Sequence, residues 1–255
     1  MEKKRRKLTP ICVLHYVKLV YRSLLLVLAM IGYAVIRSKG GLRELWNRNS
    51  RILLLGYGIL LLVWLVYAVE MALRFFPSRL ESMGCGKQFK RNYRPTGEAE
   101  PQLPSWKRTF AVFAAWIGLN GAIGLLYALE VIDAGILILI SLAYGVCDMI
   151  CILFFCPFQT WFLKNRCCTV CRIYNWDFAM MFTPLVFIPS LYTWSLLGLS
   201  LLLLLRWEIT LRLHPERFSD RTNACLRCAS CEEKLCHHKR QLRGFWEKNR
   251  IRFRK

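Results

Sequence analysis

Long apolar runs separated by short polar and basic stretches organise the chain. The first runs from about Ile11 to Ile36. Lys18 and Arg22 interrupt its first half and leave Ser23–Ile36 as the cleanly apolar part. Ile52–Phe76, Phe110–Leu129 and Ile136–Phe155 follow, each close to the roughly 20 apolar residues that one helical crossing requires. The last run, Phe178–Trp207, is broken by Pro184 and Pro189. It is too short for two full crossings. The prolines predict a broken or re-entrant first part and one returning helix, an arrangement tolerated where protein covers the freed backbone. The pattern predicts an all-α integral membrane protein with about five transmembrane spans. A basic N-terminal tail (1–10) precedes a polytopic domain (11–207) with loops at 37–51, 77–109 and 156–177. A Cys-rich module (208–238) and a basic, aromatic tail (239–255) complete the chain.

Polar residues inside the runs change this picture locally. Lys18 and Arg22 are expected to snorkel, or to hold the first turns in the interface. Glu70 and Arg74 are four apart and can pair on one helix face. Asp148 lies between Cys147 and Cys151 in the fourth run. A carboxylate at that depth costs roughly 2.5–3.5 kcal/mol on insertion scales and usually faces a cavity, a partner or a proton path. Asp148 is therefore the candidate catalytic or transport residue; its alternative is a carboxyl hydrogen-bonded to Tyr144 or Asn120. Ala114, Gly118 and Ala122 recur every four residues and predict a close-packing face for another helix or a second copy. Asp177 is placed to cap the final apolar stretch.

Composition sharpens the class. A chain that is 55% hydrophobic, with mean hydropathy +0.31, also holds 37 Lys and Arg against 16 Asp and Glu, a net charge of +21. The charge sits in tails and loops flanking apolar runs, so anionic lipid heads and the positive-inside rule account for it, and nucleic acid is not the expected partner. The basic start before an apolar run without a small-x-small site reads as an uncleaved anchor. Glu130–Gly135 has no Lys or Arg and is the expected outside loop. The broken fifth run then returns the tail to the cytoplasmic side of a prokaryotic-type cell membrane, at the expense of placing the five cations of 37–51 outside. The terminal segment 239–255 interleaves cations with aromatic residues and suits an interfacial helix on anionic lipid.

Cysteine carries the candidate chemistry. Cys225, Cys228, Cys231 and Cys236 fall within twelve residues, a spacing that lets four thiolates surround one soft metal, zinc or an iron–sulfur cluster. Cys167, Cys168 and Cys171 form a second group, to which Cys156 could add a ligand; the alternative there is a packed core thiol and an incidental dithiol. In the folded-back topology both groups face the cytoplasm and could be neighbours. His237 and His238 follow Cys236 and could replace a cysteine on zinc. Haem is not expected, because His15 is the one histidine inside a span.

The tail run resembles the ferredoxin motif, with a final gap one residue longer and His237 in place of the proline. Apolar helices, the Cys156-Pro157 exit and the Cys225–Cys236 run together resemble, in layout, the membrane polyferredoxins of quinol-oxidising systems. That resemblance implies a 4Fe–4S cluster passing electrons between a cytoplasmic donor and quinone or a partner complex. Two other functions fit the same residues: a zinc-stapled scaffold or assembly factor without catalysis, and a metal-ion transporter using Asp148, Cys147 and Cys151.

Overall fold

The computed structural model describes residues 9–38, 50–77, 82–98, 100–165, 167–231, 235, 236 and 239; side chains are not described for 50–57, 82, 83, 168 and 230. The expected interfacial tail beyond Lys239, most of the basic 37–51 loop, and His237 and His238 lie outside these residues. The described part is mostly helical and contains no strand. Its helices are α1 (Pro10–Ser38), α2 (Ser50–Phe75), α3 (Trp106–Ala128), α4 (Ala134–Leu153), α5 (Asp177–Phe182) and α6 (Leu191–Leu213).

Among the described residues, four segments are long and apolar enough to cross a membrane: Pro10–Ser38, Gly58–Phe75, Trp106–Ala128 and Ala134–Leu153. Their outward faces are lined by exposed Val, Leu, Ile and Phe, as expected for surfaces that meet lipid. Helix α6 is of similar length but carries Arg206 and Glu208 in its last third.

Contacts fix how the helices run. The start of α1 packs against the end of α4, where Cys12 joins Met149, Ile152 and Leu153. At the opposite end Tyr33 donates to Asp133 Oδ2 at 2.7 Å, so α1 and α4 are antiparallel. Asp133 also accepts the Ile136 amide at 2.9 Å and caps α4. Helix α6 begins at Ser190, whose hydroxyl accepts the Thr193 amide at 3.2 Å, and runs beside α2 through the Trp64–Ser195 hydrogen bond of 2.9 Å.

The final apolar stretch is broken as expected. Helix α5 passes at Thr183 into a short 3-10 helix, Thr183–Phe187, with Pro184 in its first turn. This stretch is covered by protein. Ser141 on α4 donates to Met181 O at 2.9 Å, and Trp116 on α3 donates to Thr183 at 3.2 Å. Gly124 admits Phe187 so closely that an added Cβ would sit 2.2 Å from its ring.

The intramolecular face of α3 is Thr109, Val112, Asn120 and Gly124, all buried. The Ala114–Gly118–Ala122 stripe points the other way and is exposed, with nothing within 4 Å of a Cβ added at Gly118. Within the chain, therefore, the small-residue stripe is not the packing face.

At the end of the bundle where α2, α4 and α6 finish, three connecting segments form a cap of short 3-10 and π turns. Pro95 bridges Asn223, and Ala224 N donates to Arg94 O at 2.8 Å. Buried Asn223 gives its amide to Lys87 O at 3.1 Å and to Arg217 O at 2.9 Å. Gln88 reaches Thr169 O at 3.1 Å and accepts from Asn175 at 3.0 Å. Residues 214–231 are thus tied to the 84–104 segment, which is tied in turn to 167–176.

Candidate functional site

Two polar constellations stand out, one between the helices and one at the cap. The first centres on Arg22, 1% exposed in the middle of α1. Its guanidinium lies 2.7 Å from Glu70 Oε2 on α2 and 3.2 Å from Asp148 Oδ2 on α4, and donates to Gly145 O at 3.0 Å. Rings of Tyr67 and Phe178 lie 5.7 and 5.9 Å from it. Glu70 also receives Lys18 at 3.2 Å and the Tyr21 hydroxyl. One turn on, Arg74 meets Asp177 at 2.5 Å. Three cations and three carboxylates therefore balance inside the bundle.

This corrects several expectations. Arg22 does not snorkel to a surface; it is buried, and two carboxylates on other helices receive it. Glu70 turns to α1, while Arg74 turns to Asp177, so the two link α2 to different neighbours. Asp148 bonds to Arg22, whereas Asn120 donates to Trp116 O at 3.0 Å. Asp177 is not the cap of α5: it is the first helical residue, Trp176 is the N-cap without a side-chain cap bond, and the Asp177 carboxylate accepts the neighbouring Phe178 amide at 2.9 Å and pairs with Arg74.

The cap holds the thiols. Cys167 and Cys236, one from each cysteine group, are hydrogen-bonded to each other. The Cys236 thiol donates, and with the Thr169 hydroxyl 3.2 Å away and Lys87 nearby it draws Cys167 down to about 5 against the opposing effect of burial. The same contact pushes Cys236 up. Cys231 lies 3.8 Å from Lys87 Nζ.

The remaining cysteines are dispersed. Cys225 donates to Asn92 O at 3.0 Å, Cys228 is exposed, and Cys171 and Cys85 are buried. Cys168 starts a 3-10 turn, Cys168–Val170, in contact with the Ser82–Gly86 turn that carries Cys85. Among the described residues, no set of three or more His, Cys, Asp or Glu is arranged to hold a metal ion.

Cys156 is placed with a partner the sequence did not suggest. It hydrogen-bonds to Cys151, on the last turn of α4, and accepts the Gln159 amide at 3.4 Å. The Cys151 thiol, the backbone donors and Lys239 draw Cys156 down to about 6, against burial. Lys239 Nζ itself donates to Cys151 O at 2.8 Å. Lys87, Thr169 and Lys239 escaped sequence reading because a cation or hydroxyl near a cysteine in sequence predicts nothing until the chain folds back. No protein-family model, no curated protein and no solved structure matches this chain.

Proposed function

We propose that the protein is a membrane-embedded thiolate metalloprotein whose cap binds an iron–sulfur cluster and passes electrons between a soluble donor and quinone or a partner complex. One observation carries this reading: Cys167 and Cys236, distant in sequence, are in contact. Their contact joins one member of the tail group (Cys225, Cys228, Cys231, Cys236) to one member of the loop group (Cys167, Cys168, Cys171), near Lys87. Loading would draw Cys225 from Asn92 and Cys228 from the surface toward this pair. Soft thiolates select iron–sulfur clusters or zinc over hard cations. In this reading the broken α5 stretch and α6 together form the fifth membrane element, the cap faces the cytoplasm, and anionic lipid meets the basic tail. The outward Ala114–Gly118–Ala122 stripe is the contact for a second copy.

A zinc-stapled scaffold is the second reading, and the construction of the cap favours it. The segments are short turns joined by side-chain hydrogen bonds, the kind of small irregular unit that a structural metal stabilises. Metal analysis and the visible spectrum of anaerobically purified protein separate the two. Iron and acid-labile sulfide with a brown absorbance bleached by dithionite support electron transfer. Colourless protein with stoichiometric zinc supports the scaffold, and protein free of both metals removes the metal reading.

A further inference from the structure

We infer that Cys151 and Cys156 form a redox-active dithiol that exchanges with disulfides presented at the cap end of the membrane. The inference stands apart from the cap metal, because neither sulfur belongs to the Cys167–Cys236 pair. Three features of the geometry point to it.

The first is reach. Helix α4 ends at Leu153, Phe154 leaves helical hydrogen bonding after its contact to Ile150 O, and Pro157 starts the next turn. This reversal returns Cys156 onto the last turn of α4, where its sulfur meets that of Cys151. Both are reduced in the structure, and neither is fully buried. Sulfurs already in contact need little movement to approach the ~2.05 Å of a disulfide bond.

The second is asymmetry. Cys156 receives the Gln159 amide and the Cys151 thiol, and Lys239 approaches from the tail. These donors stabilise a thiolate, the nucleophilic form. Cys151 lies on the last turn of α4 and is the donor in its hydrogen bond to the Cys156 sulfur. The pair therefore has an attacking and a resolving member.

The third is access. On either side of Cys156 the chain exposes Phe155 and Trp161, whose rings pack 5.6 Å apart. Cys156 itself is partly exposed, beyond the end of α4, so an incoming disulfide can reach it.

The exchange balances without a further reagent. The Cys156 thiolate attacks one sulfur of the partner disulfide, the partner's S–S bond breaks, and the departing thiolate takes a proton from water. Cys151 then gives up its proton and attacks Cys156 Sγ, releasing the second partner thiol. The partner disulfide is reduced by two electrons, and the Cys151–Cys156 dithiol is oxidised by two.

The test treats purified full-length protein in micelles with oxidised glutathione, alkylates the remaining thiols and maps them by peptide mass. The expected result is a Cys151–Cys156 crosslink formed ahead of any other. Cys151→Ser should retain glutathione on Cys156, and Cys156→Ser should react about tenfold more slowly at Cys151. Wild-type protein whose Cys151 and Cys156 both stay alkylatable while other cysteines oxidise overturns the inference, with no need for a variant that folds. Equal reaction of Cys151 with and without Cys156 overturns the assigned roles. Metal content measured on the same sample keeps this result distinct from that of the cap reading.

Discussion

Arg22 Nη1 lies 3.2 Å from Asp148 Oδ2, joining two helices through residues separated by 126 positions. With Glu70 on the other side, the guanidinium is held by two carboxylates and by no water-facing edge, since only 1% of its side chain is exposed. A buried ion pair of this kind is costly to break from one side, because the remaining partners stay charged and desolvated. Arg22→Met should therefore destabilise the fold by about 3–5 kcal/mol. Asp148→Asn keeps an acceptor for Arg22, and Glu70 still matches its charge, so that change should cost about 1 kcal/mol. Unfolding in mixed micelles, followed by circular dichroism, ranks them. Equal effects would show that the Asp148 charge matters to the network as much as Arg22 does.

The same pair decides what Asp148 does. If it served protons or cations in addition to holding Arg22, Asp148→Asn would leave the protein folded while abolishing quinone-linked reduction or ion flux. Survival of activity in the folded amide variant assigns Asp148 to the clamp alone.

Asn223 is the knot of the cap. It is fully buried, donates to Lys87 O and Arg217 O, and its Oδ1 accepts the Cys225 amide at 3.1 Å. Asn223→Ala leaves those backbone groups without a partner, at about 1–3 kcal/mol. Limited proteolysis should then cut within 84–104 or 214–231 while the helices stay protected. Unchanged cleavage would mean that the cap is held by something other than this side chain.

Thiolate chemistry at Cys156 has a defined pH window. Its folded value of about 6 lies below the ordinary cysteine range, so the reactive form persists as pH falls and is lost only through about pH 6. Iodoacetamide labelling of Cys156 should show that midpoint. Cys151→Ala removes the largest cause of the shift and should move the midpoint upward. A midpoint in the wild type near that of free cysteine, about 8.5, contradicts the geometry.

Two glycines on α3 make a paired test of its two faces. At Gly124 an added Cβ meets Phe187 at 2.2 Å, so Gly124→Leu must displace the broken stretch and should destabilise by about 1–3 kcal/mol. At Gly118 the space is open, so Gly118→Leu should leave monomer stability within about 0.5 kcal/mol. If the stripe carries a second copy, crosslinked dimer should fall in the Gly118 variant. Undiminished dimer there removes the stripe as the contact.

Sidedness follows from the shared cap. Glu100→Cys and native Cys228 should label together from one side of membrane vesicles with an impermeant maleimide, and Val131→Cys from the other. Labelling of Cys228 with Val131→Cys would mean that 214–231 does not pack as described.

The apolar runs were legible because their length matches a membrane, and α1 to α4 start and end within a few residues of them. Pro184 and Pro189 marked the break, since a proline removes an amide donor and disfavours a continuing helix. The charge network was not legible. Lys18 and Arg22 look like interface residues until Glu70 and Asp148 arrive from other helices, and no local spacing encodes that meeting. The thiols show the same limit. Spacing grouped Cys225 to Cys236 as one set, yet the contacts that form join Cys167 to Cys236 and Cys151 to Cys156. Short gaps describe which sulfurs can converge; chain reversal decides which do.

Closure of the cap also orders events during synthesis. The 84–104 segment emerges early, but its partners in 214–231 leave the ribosome only after α6, so Lys87 and Thr96 wait more than a hundred residues for Asn223 and Arg221. In the proposed topology, where α6 belongs to the fifth membrane element, a chain that inserts it in the wrong direction strands those partners across the bilayer. The cap then cannot knit, and Cys167 loses its contact to Cys236. On that topology, correct insertion of α6 and closure of the cap are one event.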